Sequence, residues 1–582
     1  MIKTVRHNRL RTQCGICDQD LLRGDSFVPL RGGDPDTGSG TRLNRATYPG
    51  YCYSIVDFDD RSLCLVPNCY QCARSPEAVG LHAFCFDVYK NHCQVDNSIH
   101  RLWATRGQKN LWKGAPILQL DRESEVDIDL VRQKAETYGV GLLGRLPAEL
   151  IQMIHKYSEN EKFWRCISAL RLARELSESQ QDDTMLPLCN IVTWTRGESA
   201  VVRSEECSPY IRLILDRRGI RKIERFQERL PYEPARSNRE AFVFACESEF
   251  RDVVATLEVR QFNVLQLQLP SHIRGFQVWD TPSPPRLEDC EFYGRVSQSM
   301  QLKTINLRAA TGLTFFFAYS KLYAVHAHTH KSPHATRTCE RLSKSRRASI
   351  ISAYLPIPTG EEIISIAIRT RSSLKGGQST GQKPFLLFRM KLAGDIAIGP
   401  YHSETHNDVV LGESSPKLFI YSSSGVGPAT VFGTYPRRQE DDSISVPFPY
   451  PLFSNPPINY HANISSAPLE DVTCVWVRED ENQFCHGVLL EYENGAQRAL
   501  GDYRVGNYLP GTDRVKKHLK PSQICYLGPQ DEGVDAYNFV VKASDHHDHD
   551  LNHDAEGWKC NSLSGVLEFW FSFERSVIRI VE

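Results

Sequence analysis

Three pairs of potential metal ligands, each separated by two residues, crowd the N-terminal part of the chain: Cys14-Gly15-Ile16-Cys17, Cys69-Tyr70-Gln71-Cys72 and His82-Ala83-Phe84-Cys85. A two-residue gap lets both side chains of a pair face one ion from a single turn, and thiolate and imidazole donors suit tetrahedral zinc. A segment closed on an ion has few chain paths open to it. Cys14, Cys17, His82 and Cys85 make the simplest closed set. Cys69 and Cys72 either complete a second site with two of Cys52, Cys64 and Cys93, or replace a pair in the first. The competing reading is a group of reduced, buried cysteines that hold no metal. A structural zinc would supply folding energy to residues 1–100, a stretch with few aliphatic side chains.

Another constraint lies in Leu142–Ser177. Leu146, Leu150, Ile151, Ile154 and Tyr157 recur at spacings of mostly three and four, which places them on one helical face. Pro147 suits a first helical position, where its missing donor is not needed. Glu149 suits the positive end of the helix dipole. Ser158-Glu159-Asn160 interrupts the pattern, and Phe163, Trp164, Ile167, Leu170, Leu172 and Leu176 renew it. The spacing predicts three short helices that cannot bury all these side chains among themselves. The surplus then packs on another part of the chain or on another protein.

The run Leu146-Pro147-x-Glu149-Leu150-Ile151, followed by Ile154, Tyr157 and Phe163-Trp164-Arg165-Cys166, resembles an F-box. The resemblance covers residues 141–180 and departs from the family where Ala169-Leu170-Arg171-Leu172 replaces a valine-cysteine-arginine-x-tryptophan run. It implies docking on a Skp-type adaptor, and so on a cullin ubiquitin ligase core, through Leu146, Pro147, Leu150, Ile151, Ile154 and Trp164. The Cys/His segment is similar to the zinc-finger-like segments that precede F-boxes in large fungal families. Its order of pairs is also similar to RING fingers, but the loop from Cys17 to Cys52 is long and the Cys-x-His-x-x-Cys centre is missing. Gly360-Glu361-Glu362-Ile363-Ile364 and Cys485-His486-Gly487 resemble parts of the uncharacterised β-rich region that accompanies such F-boxes. The alternative is a binding module, lectin-like or other, in which the helical segment is only structural.

A length of 582 residues suggests about three or four domains. The formal net charge of −1 gives no overall pull toward nucleic acid or anionic membrane. No run of 18 apolar residues predicts a membrane span, and the basic start Met1–Gln13 lacks the apolar centre of a signal peptide. A cytoplasmic or nuclear location is expected. In such a compartment the 18 cysteines are not a disulfide framework.

After residue 180 the pattern turns to strands. Val254–Leu269 alternates in part, Leu313–Tyr323 is strongly aromatic, and Ile363–Ile368, Phe385–Leu392, Leu418–Tyr421 and Val472–Val477 read as strands. Asn494-Gly495 marks a hairpin in Gly487–Leu500, and Val566–Val581 supplies a closing strand or two. His326, His328 and His330 would share one strand face, as part of a metal site or as solvent-facing histidines. Lys331–Arg347 reads as a flexible, solvated basic insertion without the interleaved aromatics of a nucleic-acid site. The run from Asp545 to Asp554, with His546, His547, His549 and His553, reads as a hydrated loop of weak metal affinity. No phosphate loop, G-x-S-x-G elbow or H-E-x-x-H helix is present, so catalysis is not expected.

The expected fold class is therefore α+β and multidomain: a small Cys/His zinc module (1–100), a connector (101–140), a three-helix F-box (141–180), and a large, mainly antiparallel β-rich body. The body divides into 181–330, a basic loop at 331–350, and 351–582. Its expected partner, besides the adaptor, is an unidentified target protein.

Overall fold

The structure is a computed structural model. It describes residues 6–32, 40–42, 44–50, 55–58, 61–65, 78–103, 105, 111–112, 115–116, 118, 120–121, 126–158, 161–178, 182–202, 208–234, 237–259, 265–342, 344–371, 384–401, 406–413, 415–423, 427–437, 446–449, 456–458, 461–506, 514–528, 538–543 and 557–582. Strands far outnumber helices, and the chain divides into two compact units. One is Met1–Pro284 with Ser297–Gln301 and Ser424–Gly427; the other is Pro285–Val296, Leu302–Ser423 and Pro428–Glu582. Among the described residues no helix is long and apolar enough to cross a membrane.

The first unit begins with a mixed sheet built from β1 (Arg6–Cys14), β2 (Ser26–Gly32), β3 (Gly40–Arg42), β4 (Ala46–Thr47), β5 (Ile55–Phe58), β6 (Arg61–Cys64) and β7 (Ala78–His82). Its order is β3-β2-β7-β1-β6-β5, with β4 on β2. β1 runs parallel to both β6 and β7, while β2 runs antiparallel to β7 with Phe27 opposite His82. Helix α1 (Ala83–His92) follows β7 directly, and α2 (Ser98–Leu102) follows it.

Four more helices come next: α3 (Ile128–Ala135), α4 (Gly141–Gly144), α5 (Ala148–Ser158) and α6 (Lys162–Ser177). Asp127 caps α3 by accepting the Leu130 N–H at 2.9 Å. Pro147 lies just ahead of α5, and its carbonyl accepts the Leu150 and Ile151 N–H groups, both at 3.1 Å. α6 carries two apolar faces. Ala169, Leu172, Ala173 and Leu176 pack on the N-terminal module against Phe86, Tyr89 and Leu102. Trp164, Ile167 and Leu170 pack instead with Leu130, Val131 and Ile151. The Arg101 guanidinium donates to the Leu176 carbonyl at 2.7 Å, satisfying an open acceptor at the C-terminal end of α6.

The rest of this unit is an antiparallel arrangement of Ile191–Thr195, Gly219–Phe226, Tyr210–Asp216, Ala241–Cys246 and Val278–Trp279 over a core containing Trp112, Trp194, Leu213 and Phe250. Within Val254–Leu269, Val254–Val259 pairs antiparallel with Leu265–Gln268, so the stretch holds two strands rather than one.

The second unit is built from antiparallel sheets around one aromatic-rich core that includes Phe315, Phe317, Phe388, Phe419 and Phe569. Leu313–Tyr323 also proves to be a hairpin: Gly312–Ala318 and Lys321–His328 turn at Tyr319 and Ser320, whose φ values are 50° and 61°. Gly312–Ala318 pairs on its other side with Ile350–Pro356, with Leu313 opposite Leu355. That pairing ties the hairpin to later strands of the same unit. At the Asn494-Gly495 turn, Gly495 has φ 83° and the Asn494 carbonyl side chain accepts the Ala496 N–H at 2.9 Å.

The basic segment differs from its expectation. It folds into short helices, Thr336–Glu340 and Lys344–Arg347. Ala335, Cys339 and Leu342 are buried with Phe316 and Ile350. Their spacing of four and three makes an apolar stripe that the surrounding lysines and arginines conceal in the sequence.

Candidate metal centre

The strand pairing of β1 with β7 sets Cys14 opposite Gly80, and His82 closes the same strand two residues later. Cys14 and Cys17 lie on a tight turn in which the Cys14 N–H donates to Gln19 O at 2.8 Å and the Asp18 N–H donates to Cys14 O at 2.9 Å. Asp18 completes the reversal in the left-handed region with φ 58°. At Gly80 a Cβ would lie 2.4 Å from Leu21 Cδ1, so the buried Leu21 side chain would have to shift to admit one. His82 is at the N-cap of α1 and Cys85 is in its first turn, where the helix dipole favours a thiolate.

Among the described residues, these four side chains form the one cluster that could hold a metal ion, with donor atoms all within 4.8 Å of one another. His82 Nδ1 lies 3.4 Å from Cys17 Sγ and 3.9 Å from Cys85 Sγ. A tetrahedron with metal–ligand bonds of about 2.0–2.3 Å has edges of about 3.3–3.8 Å, so both separations lie close to those expected for donors of one ion. Cys14 and Cys85 are fully buried and His82 is 3% exposed.

Burial raises the Cys14 thiol, but hydrogen bonds from Cys17, Cys85 and His82 outweigh it and hold Cys14 well below the ordinary cysteine range. Its hydrogen bonding to Cys17 and Cys85, together with its charge and their burial, pushes both thiols well up. A dication among them would offset that accumulated charge and allow all the thiols to ionise.

Cys69 and Cys72 lie outside the described residues, as do Cys52 and the Asp545–Asp554 run. Of the other cysteines considered as ligands, Cys64 and Cys93 are buried away from any cluster of three or more ligands among the described residues. His326 and His328 share a strand face, with ring centroids 4.6 Å apart, and His330 is exposed beyond the strand end. The first two are buried rather than solvent-facing, and their ring nitrogens already have protein partners. His326 meets Thr338 Oγ1 at 2.9 Å and Ser332 O at 3.2 Å; His328 meets Thr314 Oγ1 at 2.7 Å and Pro333 O at 2.8 Å. They fasten the segment that follows the strand.

Burial, reinforced by the charge of His328, pushes His326 down to about 3, and burial also lowers His328. An unfolded histidine titrates near ~6.5, so in acid the unfolded chain takes up protons that the folded chain cannot. The contribution of these histidines is complete above that value and is lost as pH falls from there toward 3. Thermal melting should show a midpoint that drops between about pH 7 and pH 5, with a shallower drop in His326→Asn/His328→Gln.

The residues implied in adaptor docking fall into two groups. Leu150 and Ile154 are 43% and 39% exposed, and Pro147 is exposed beside the half-buried Leu146. Ile151 and Trp164, by contrast, are 0% and 4% exposed within the core shared by α3, α5 and α6. The Trp164 indole N–H donates to Ser158 Oγ at 2.8 Å. Neither residue can touch a partner without unpacking that core. Periodicity missed Leu142 and Met153, which are 79% and 54% exposed, and did not mark Tyr157, 80% exposed, as a contact residue. No protein-family model matches the chain, and no curated protein matches it.

Proposed function

We propose that the protein is a non-catalytic substrate receptor of a cullin ubiquitin ligase, with α4–α6 acting as an F-box-type bundle. The exposed face of α5 docks on a Skp-type adaptor, zinc fills the Cys14–Cys17–His82–Cys85 centre, and the β-rich body presents a target protein. The observation that carries this reading is the run Leu150, Met153, Ile154 and Tyr157, all exposed on a helix that the neighbouring Ile151 anchors to the bundle core. Large apolar side chains left uncovered together are the usual mark of a protein-binding surface. Zinc is favoured by soft sulfur donors and one imidazole in a closed, buried set. The mechanism would be proximity: holding a target lysine beside a charged conjugating enzyme raises its effective concentration.

A pull-down with purified Skp-type adaptor tests this. Wild type should retain the adaptor and Leu150→Glu/Ile154→Glu should not; equal recovery, or none by wild type, contradicts it. The alternative, a glycan-binding module, draws on Tyr319 and Phe573, 49% and 38% exposed with ring centroids 5.6 Å apart. Glycan retention by wild type without adaptor retention would favour that alternative.

A further inference from the structure

His82 directs its Nδ1 at the cysteine sulfurs, which leaves Nε2 on the far side of the ring, buried and without an aligned hydrogen bond. The Asp25 carboxylate lies on that side, with Oδ2 3.4 Å from Nε2. Several features hold Asp25 in place independently of the imidazole. Its Oδ2 accepts the Leu22 N–H at 2.8 Å, its own N–H donates to Leu22 O at 2.9 Å, and its carbonyl accepts the Tyr48 N–H at 2.8 Å. Gly24, at φ 92°, makes the turn that delivers it. The β2–β7 register then sets Phe27 opposite His82, which brings the residue just before β2 alongside the ring.

We propose that Asp25 is a positioning residue of the metal centre. A carboxylate facing Nε2 keeps the proton on that nitrogen and leaves the Nδ1 lone pair free for the ion. It also fixes the ring plane and adds a negative charge that strengthens the imidazole as a donor. His82 is nearly sealed, whereas the Asp25 side chain is 28% exposed and is held toward the ring by the Leu22 N–H. The inference rests on the reading of Cys14, Cys17, His82 and Cys85 as a zinc site, and it extends that reading to a residue with no ligand role.

The test is a chelator competition for zinc on the full chain, with Cys85→Ser identifying the tight equivalent that belongs to this centre. Asp25→Ala should bind that equivalent about 10- to 100-fold more weakly, and Asp25→Asn, whose amide oxygen can still accept the Nε2 proton, should fall between. Cobalt(II) substituted for zinc supplies a readout that simple loosening of the turn would not move. Asp25→Ala should change the visible ligand-field bands, and Asp25→Asn should restore them in part. Unchanged affinity and bands in Asp25→Ala, with wild type binding normally, would overturn the role of Asp25 alone. Absence of a tight equivalent in wild type would overturn the zinc reading and this role with it.

Discussion

Serine in place of Cys85 is expected to release the metal and unfold the N-terminal module. Structural zinc contributes about 10–16 kcal/mol to small metal domains near neutral pH. That matches or exceeds the ~5–15 kcal/mol by which a whole domain is stable, so the apolar groups of the module cannot compensate. Those groups include Val28, Leu30, Leu81, Phe86 and Tyr89, packed in one cluster with the candidate ligands Cys14 and Cys85. The effect should reach further, because Ala169, Leu172, Ala173 and Leu176 on α6 complete the same cluster. Metal analysis of the purified variant should show one zinc fewer per chain. Amide exchange should show lost protection in β1, β2, β7 and α1, and partial loss along α6. Unchanged exchange after complete metal removal would mean that the thiols are merely packed.

The second large effect separates neighbouring residues on α5. Ile151 is fully buried and Leu150 is 43% exposed, although one peptide bond joins them. Ile151→Ala leaves a cavity beside Trp164 and Ile167 and should cost about 2–5 kcal/mol, lowering the denaturant midpoint of the first unit. Leu150→Ala opens no cavity and should leave stability within about 0.5 kcal/mol. Adaptor affinity should show the reverse pattern: Leu150→Ala weakens it by about 1–2 kcal/mol, as expected for an interface anchor, while folded Ile151→Ala binds nearly as wild type. Denaturation and titration calorimetry on the same samples check both halves.

What the sequence reveals here depends on how local each signal is. The two-residue gaps of Cys14–Cys17 and His82–Cys85 are local, and so were visible; their closure on each other depends on β1 pairing with β7 across a long stretch of chain. Asp25 carries no mark in the sequence, because a turn and a strand register bring it to His82. Helical spacing announced α5 and α6 but could not rank their faces. α6 is apolar on two sides, one for the module and one for α5, and Trp164 went inward to meet Ser158. Alternation put His326 and His328 on one strand face, yet it could not show that Thr314 and Thr338 would meet them in a buried site. Among the charges after residue 330, Ala335, Cys339 and Leu342 were too sparse to outweigh a composition that reads as solvated.

The most direct measurement of the docking proposal is amide exchange on the full chain with and without purified Skp-type adaptor. Added protection should fall on residues 141–158, the stretch holding Leu142, Leu150, Met153, Ile154 and Tyr157, with the β-rich body unchanged. Protection confined to any other part of the chain, or none at saturating adaptor, would contradict the account.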